Sequence, residues 1–216
     1  MTAAASAARV GNVARRIFVF DDPDRFVAGT IGPPGQRVFF LQAVEGRRVT
    51  SVSLEKVQVA LLADRVAAIV AELQARGVPG VEGIATEPVP GDDDRALDEP
   101  LRDAFRVGTL TISWDGEESE VTIEARSRSD DDDEGELADE DEGEADADEE
   151  VDADDLPDDA PEGPDVLRVR LSAAVALGFA RRAARLVGAG RPACPFCGQP
   201  LNPEGHVCVR SNGYLH

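Results

Sequence analysis

The sequence predicts an α+β fold, in which an antiparallel sheet of about seven strands carries two packed helices and a small C-terminal zinc knuckle. Short apolar runs separated by turn residues occupy both halves of the chain, as in strand meanders. Residues 57–76 and 172–187 instead repeat apolar side chains at three- and four-residue steps, which indicates amphipathic helices. All three cysteines lie within residues 194–208, a density that predicts a metal site.

The first half of the chain predicts four strands, at residues 16–20, 25–31, 37–44 and 48–54. They are separated by strong turn sequences, which are Asp21-Asp22-Pro23-Asp24, Gly32-Pro33-Pro34-Gly35 and Glu45-Gly46. Such short turns favour an antiparallel meander.

The first helix is predicted from one apolar stripe, formed by Val59, Leu62, Val66, Ile69 and Leu73. Ser53 is the expected N-cap, and Glu55 suits the positive end of the helix. Gly77 before Pro79 closes it. Residues 78–100 are rich in Gly, Pro and Asp, which predicts a loop.

The second half repeats this plan, with strands predicted at residues 105–114, 120–126 and 166–171 before the helix at 172–187. A weak internal sequence repeat links the two halves, with matching residues 117 positions apart. Val52, Leu54, Ala63, Arg65 and Ala67 return as Val169, Leu171, Ala180, Arg182 and Ala184. This internal repeat favours a fold in which two related halves share one sheet, although alanine-rich helices also resemble each other by chance.

The formal charge of −21 comes from one block. Residues 130–165 hold 22 of the 43 acidic residues and no basic one, which leaves 21 acidic against 22 basic residues elsewhere. Because this block lacks the apolar and aromatic residues of a core, we predict a disordered insert at residues 129–164.

We therefore divide the chain into four parts. Residues 1–128 and 165–188 form one α+β domain, residues 129–164 form the acidic insert, and residues 189–216 form the zinc-knuckle tail. No apolar run approaches the roughly 18 residues that span a membrane. The N-terminus does not resemble a signal peptide, and the clustered cysteines fit a reducing compartment. The chain is therefore expected to be cytoplasmic.

The tail contains Cys194-Pro195-Phe196-Cys197-Gly198, with His206 and Cys208 further on. Two thiols separated by two residues can turn around one ion, and a histidine with a third thiol about ten residues later completes a tetrahedral set. The sequence therefore predicts one structural Zn²⁺, whose ligands are Cys194, Cys197, His206 and Cys208.

Two alternatives remain open for these cysteines. A C-x-x-C pair can be a redox pair, although that chemistry requires neither the third cysteine nor the histidine. If His206 points away, three thiolates and water leave an open position of the kind that catalytic zinc has. His216 is a poorer ligand candidate because it ends the chain.

Five stretches of the chain, residues 24–30, 36–43, 53–56, 105–108 and 189–214, resemble a known family. It is a family of actinobacterial proteins catalogued as domain of unknown function 3090. Its C-terminal end resembles Ala-Gly-Arg-Pro, Cys-Pro-x-Cys-Gly, Asp-Pro-x-Gly-His-x-Cys-Pro-Arg and Asn-Gly-Tyr. Here Asn202 stands at the aspartate position and Val209 at a proline position, and neither change removes a proposed ligand.

The resemblance implies no particular activity, since none is assigned to the family. The genes of the family tend to lie beside those of a kinase-like protein and a histidine-phosphatase-like protein. This neighbourhood implies a shared process, and it makes these two proteins candidate partners.

The favoured function is that of a non-enzymatic binding, adaptor or regulatory module, with zinc stabilising a recognition surface. The side chains proposed for that surface are Arg191, Arg210, Asn212 and Tyr214. They can instead form local ion pairs and packing contacts within the tail. Nucleic-acid binding is a weaker alternative because no basic excess remains outside the acidic block.

The enzymatic alternatives are action on a phosphorylated metabolite and zinc-dependent hydrolysis. The sequence lacks a Gly-rich phosphate loop, a G-x-S-x-G motif and an HExxH motif. Glu55 and Lys56 can form an acid–base pair, although helix capping explains Glu55 more simply. Asp21, Asp22 and Asp24 can bind a divalent ion, although aspartates beside a proline usually form only a turn.

The arginines of the last helix, Arg181, Arg182 and Arg185, have two interpretations. They form either a solvated helix face or the surface on which the acidic insert folds back.

Overall fold

The computed structural model describes residues 15–33, 35–81, 83–84, 92–128, 163–190, 194, 196–197 and 208. This part of the chain forms seven strands and two long helices. Their order is β1 (Ile17–Asp21), β2 (Arg25–Ile31), β3 (Val38–Glu45), β4 (Arg48–Leu54), α1 (Lys56–Ala75), β5 (Asp103–Asp115), β6 (Glu120–Ser127), β7 (Val166–Ser172) and α2 (Ala173–Gly188). The α+β class and the number of strands are as predicted. The acidic insert lies almost entirely outside the described residues, so its disorder stays a prediction.

The sheet has the order β1-β7-β6-β5-β4-β3-β2, and it is mixed instead of antiparallel. Four neighbouring pairs are antiparallel, but β4 pairs with β5 and β1 pairs with β7 in parallel. The prediction of a purely antiparallel sheet was therefore wrong. Helix α1 carries the chain back along the sheet after β4, so β5 begins at the same end as β4.

Strand β1 joins the far edge of the sheet through contacts that are distant in sequence. The backbone N–H of Arg16 donates to Asp165 at 2.7 Å, and Val166 N–H donates to the Arg16 carbonyl at 2.9 Å. The Arg48 guanidinium of β4 lies 3.9 Å from the centre of the Phe20 ring. Since β1 and β4 are separated by three strands, this contact shows that the sheet coils strongly.

Both helices pack on one face of the sheet, where alternate strand residues form the core. The buried side chains of this face include Phe26 and Ala28 of β2, Leu41 of β3, and Ile123 of β6. The Phe26 ring stacks on Phe179 of α2, with ring centroids 4.7 Å apart. The two helices also pack against each other, so they form one layer over the sheet.

Helix α1 buries the stripe predicted for it, including Val59, Leu62, Val66 and Leu73. Its N-cap is Glu55, whose N–H donates to the Gln58 side chain at 2.8 Å. The prediction of Ser53 as N-cap was wrong. Strand β4 continues through Ser53, whose N–H donates to Asp103 at 2.9 Å.

Residues 92–98, which belong to the predicted loop, cover the opposite face of the sheet at β2 and β3. The buried Gln42 side chain donates to the Asp98 carbonyl at 2.9 Å and accepts from Asp98 N–H at 2.7 Å. Leu97 lies over Gly29, where an added Cβ would be 2.5 Å from the Leu97 Cγ. This loop is therefore a packed part of the domain.

The Asp93 carboxylate joins this loop to two other elements. It accepts from Arg25 of β2 at 2.9 and 3.0 Å, and from Arg182 of α2 at 2.9 Å. Arg182 is buried and also donates to the Ala28 carbonyl at 2.9 Å. The Arg25 side chain, 4% exposed, pairs with Asp98 as well. Two buried guanidiniums are thus neutralised by carboxylates of residues 92–98.

These contacts revise the interpretation of the arginines on α2. Arg182 does not lie on a solvated face, and Arg185 pairs with Asp92 at 2.5 Å and with Asp94 at 3.3 Å. The acidic partner of this helix in the described structure is therefore residues 92–98, and the alternative of a contact with the acidic insert stays untested. In the same part of the chain, neither helix has the length and continuous apolar character needed to cross a bilayer.

The two halves of the domain have the same topology. Strands β2, β3 and β4 form an antiparallel meander that leads into α1, and β5, β6 and β7 form another that leads into α2. The halves lie side by side in one sheet and join through the parallel β4–β5 pair. This is the arrangement expected from the internal repeat in the sequence.

The contact between Gly29 and Leu97 gives a test of the packed loop. We expect Gly29→Ala to lower the free energy of unfolding by about 1–3 kcal/mol, because the new methyl group forces Leu97 off the sheet. The double variant Gly29→Ala/Leu97→Ala should recover part of this loss. Gly188→Ala is the matched control, since a Cβ there meets nothing within 4 Å. Equal unfolding midpoints for Gly29→Ala and Gly188→Ala would contradict the proposed packing.

The Asp93 contacts predict that this carboxylate contributes more to stability than its exposed neighbour Asp94. Asp93→Asn should cost about 2–3 kcal/mol at pH 7, because it removes charged hydrogen bonds from buried arginines. Asp94→Asn removes the same charge from a side chain that is 94% exposed and should cost under about 0.5 kcal/mol. Chemical denaturation of the three proteins measures both costs.

The hydrogen bond from Arg25 lowers the pKa of the Asp93 carboxyl below its usual range. A carboxyl whose pKa is lowered by folding stabilises the folded chain at any pH above its unfolded pKa of about 3.9. This contribution is lost as the pH falls through the folded pKa. The difference in stability between the wild type and Asp93→Asn should therefore shrink below about pH 4. A difference that stays constant down to pH 2 would contradict the ionic role of Asp93.

Candidate metal centre

The metal centre begins a few residues after the end of α2. The C-cap Ala189 N–H donates to the Arg185 carbonyl at 2.8 Å, which ends the helix. Cys194 follows Gly190 by four residues, so its Cα lies within about 14 Å of that glycine. Gly190 lies beside Lys56, the first residue of α1, so the tail starts close to the beginning of that helix.

The sulfur atoms of Cys194, Cys197 and Cys208 come together. They all lie within 4.8 Å of one another, and the Cys194 and Cys208 sulfurs are 3.8 Å apart. All three are free thiols, with Cys194 and Cys208 buried and Cys197 half-buried. In the described ranges, no other set of three or more His, Cys, Asp or Glu side chains is close enough to share an ion.

The turn between the first two cysteines directs backbone donors at sulfur. Phe196 N–H donates to the Cys194 sulfur at 3.4 Å. The pKa of the Cys194 thiol is lowered, first by the backbone N–H of Cys197 and then also by that of Phe196. These donors stabilise a thiolate, and the thiolate is the form of cysteine that binds metal ions.

The separation of 3.8 Å fits one tetrahedral ion. Two ligands about 2.3 Å from the same ion, at the tetrahedral angle, lie about 3.8 Å from each other. A disulfide would need the sulfurs at about 2.05 Å. The cysteine cluster can therefore hold a metal ion through three thiolates without first rearranging the Cys194–Cys208 pair.

The fourth predicted ligand, His206, lies outside the described residues. The four side chains proposed for a recognition surface, Arg191, Arg210, Asn212 and Tyr214, also lie outside them. Their roles stay predictions. Within the cysteine set, the C-x-x-C spacing and the third cysteine correctly indicated which residues come together.

The other candidate sites have structural partners. Glu55 caps α1 and forms an ion pair with Arg106, so it is not paired with Lys56 as an acid–base couple. Asp21 pairs with Arg170 at 2.7 Å, and Asp24 accepts from the Gly46 N–H at 2.6 Å. These contacts support the structural interpretation of each side chain.

The fold and the cysteine cluster together define an α+β protein with a C-terminal site suited to a metal ion. The sequence model of the family described as "Protein of unknown function (DUF3090)" matches residues 18–208, a range that includes all three cysteines. The chain belongs to this family. No curated protein and no solved structure matches the chain.

Proposed function

We propose that the chain is a zinc-binding adaptor, in which one structural Zn²⁺ shapes the C-terminal tail for binding to another protein. The observation that carries this proposal is the convergence of three sulfurs, two of them at the edge length of a tetrahedral site. His206 is the fourth ligand in this proposal, and it closes the coordination sphere.

Zinc is favoured by the chemistry of the ligands. Thiolates are soft donors, and sites with three cysteines and one histidine are typical of structural zinc. Zn²⁺ has no redox chemistry, so such a site serves to stabilise a short segment. The tail needs such support because residues 190–216 contain few apolar side chains for a core of their own.

The position of Phe196 supports a binding role. It lies between two ligands, its N–H donates to sulfur, and its side chain is 62% exposed. Among the described residues it is the most exposed large apolar side chain. A metal-fixed turn holds such an aromatic ring in place, and rigid aromatic side chains are common anchors in protein interfaces. The kinase-like and histidine-phosphatase-like proteins are the proposed partners.

The metal part of the proposal predicts one Zn²⁺ per chain. Metal analysis of the reduced protein should find one equivalent, and replacing any ligand cysteine by serine should release most of it. His206→Ala should weaken zinc binding, whereas His216→Ala, the matched control, should leave it unchanged. Equal zinc content in the two histidine variants would contradict the assignment of His206.

Removing the ion should loosen the tail and spare the domain. With a chelator present, amide hydrogen exchange in residues 190–216 should rise, while the main thermal transition keeps its midpoint, because the core lies in β1–α2. Loss of the main transition on chelation would show that the ion holds the whole fold together.

The adaptor part predicts a specific role for the exposed ring. Phe196→Ala should reduce capture of the kinase-like or histidine-phosphatase-like protein at least about fivefold, as expected for an interface anchor, with the zinc content unchanged. Leu61→Ala is the matched control, since Leu61 is an apolar side chain of α1 with a similar exposure of 59%. If neither purified partner binds the wild-type chain, or if Leu61→Ala has the same effect, the adaptor proposal is wrong.

A further inference from the structure

A basic groove lies where the start of β3, the start of α1 and the end of α2 meet. One cavity of about 220 Å³ is lined by Arg37, Phe39, Lys56, Leu186 and Gly190, among others. A second cavity of about 230 Å³ is also lined by Arg37, Phe39 and Lys56, together with Glu55 and Arg106, and we treat the two cavities as one groove. Three separate elements build this concave site, which we call the β3–α1–α2 groove.

The groove presents two cations without a matching carboxylate. In the described part of the chain, Lys56 is in no ion pair. Its Nζ lies beside Gly190, 3.0 Å from the position that a Cβ on this glycine would occupy. Arg37 donates from Nη1 to the Ala189 carbonyl at 3.1 Å, a neutral partner that orients the guanidinium but leaves its charge uncompensated. The nearby Glu55 is already paired with Arg106.

Part of the groove lining is apolar. Phe39 is buried at its floor, and Leu186 and Val187 of α2 form one side. Cavities that bind small molecules commonly combine an apolar lining with a few convergent polar groups. Arginine and lysine together are the side chains that most often bind phosphate, the first through its planar fork and the second as a point charge.

We infer that the β3–α1–α2 groove binds the phosphate group of a small phosphomonoester, through Arg37 and Lys56. The dianionic group lies between the two cations, and the organic part of the ligand contacts Phe39, Leu186 and Val187. This site requires neither the metal ion nor a protein partner, so it stands or falls separately from the adaptor function.

A small ligand is favoured over nucleic acid by the charge of the whole chain. The chain carries a net charge of −21, and outside its acidic block 22 basic residues face 21 acidic ones, so no basic excess attracts an extended polyanion. A single phosphate needs only the local field of the groove. The two cations also suffice to balance one dianion, whereas a nucleic-acid surface usually displays a longer basic stripe.

The single lysine of the sequence makes the test direct. Growth on lysine labelled with ¹³C at Cε gives one NMR signal, which reports on Lys56 in the intact, metal-loaded chain. Titration with glycerol 3-phosphate at fixed ionic strength should shift this signal saturably, and glycerol with chloride should not. Arg37→Gln should weaken the binding on the order of tenfold or more, because a charged hydrogen-bond donor is lost.

Arg47→Gln is the matched control for charge. Arg47 lies in the turn at the other end of β3, and this strand of eight residues is roughly 27 Å long, well beyond the screening length of about 8 Å. Its replacement should change the affinity less than about twofold, because screening removes its effect on the groove. Lys56→Gln, followed by calorimetry because the lysine signal is lost, should weaken the binding as Arg37→Gln does.

Three results would overturn the inference. The first is a Lys56 signal that does not respond to glycerol 3-phosphate. The second is an equal loss of affinity in Arg37→Gln and Arg47→Gln, which would indicate a general effect of charge. The third is a signal that responds only to a short single-stranded oligonucleotide, which would assign the groove to nucleic acid. The thermal unfolding midpoint of each variant, compared with that of the wild type, tests whether a loss of affinity comes from a loss of fold.

Discussion

The hydrogen bonds of the Asp93 carboxylate hold together parts of the chain that no local signal connects. One arginine on the edge strand β2 and another on α2 converge on this single side chain. Because both guanidiniums are buried, each needs a compensating charge, and removing that charge leaves an expensive cation in the interior. The loop at residues 92–98 is therefore held on the domain by charged hydrogen bonds to buried side chains. It in turn closes the face of β2 and β3 that the helices leave uncovered.

The same cluster explains how two similar halves form one domain. Each half is a three-stranded meander with one helix, and the parallel β4–β5 pair joins the two halves along the sheet. Helix α2 of the second half also lies on β2 of the first, where Phe179 stacks on Phe26. Arg182, close to Phe179 on the same helix, then reaches the β2 carbonyl of Ala28. Hydrophobic stacking and a buried charge thus fix the same docking.

The strands and helices were predictable from the sequence because their signals are local. The turn at Gly46 and the period of α1 need no distant partner, so each element was placed within two residues. The parallel partner of β1 was not predictable, since Arg16 and Asp165 are 149 positions apart. Arg182 was misjudged for the same reason, because its acidic partner lies 89 residues earlier. The cysteines were found because their spacing is itself a local signal. The groove was not predictable, because it combines Arg37 and Lys56 from different parts of the chain.

The groove and the metal centre share one stretch of chain at the end of α2. Arg37 lines the groove, and it also donates to the carbonyl of Ala189, the residue that caps the helix before the tail begins. Gly190 borders Lys56, and Cys194 follows only four residues later. An anion that draws the Arg37 guanidinium towards itself competes with the Ala189 carbonyl for the same donors. The groove thus lies four residues before the first cysteine in the chain, and any energetic coupling between the two sites must be reciprocal.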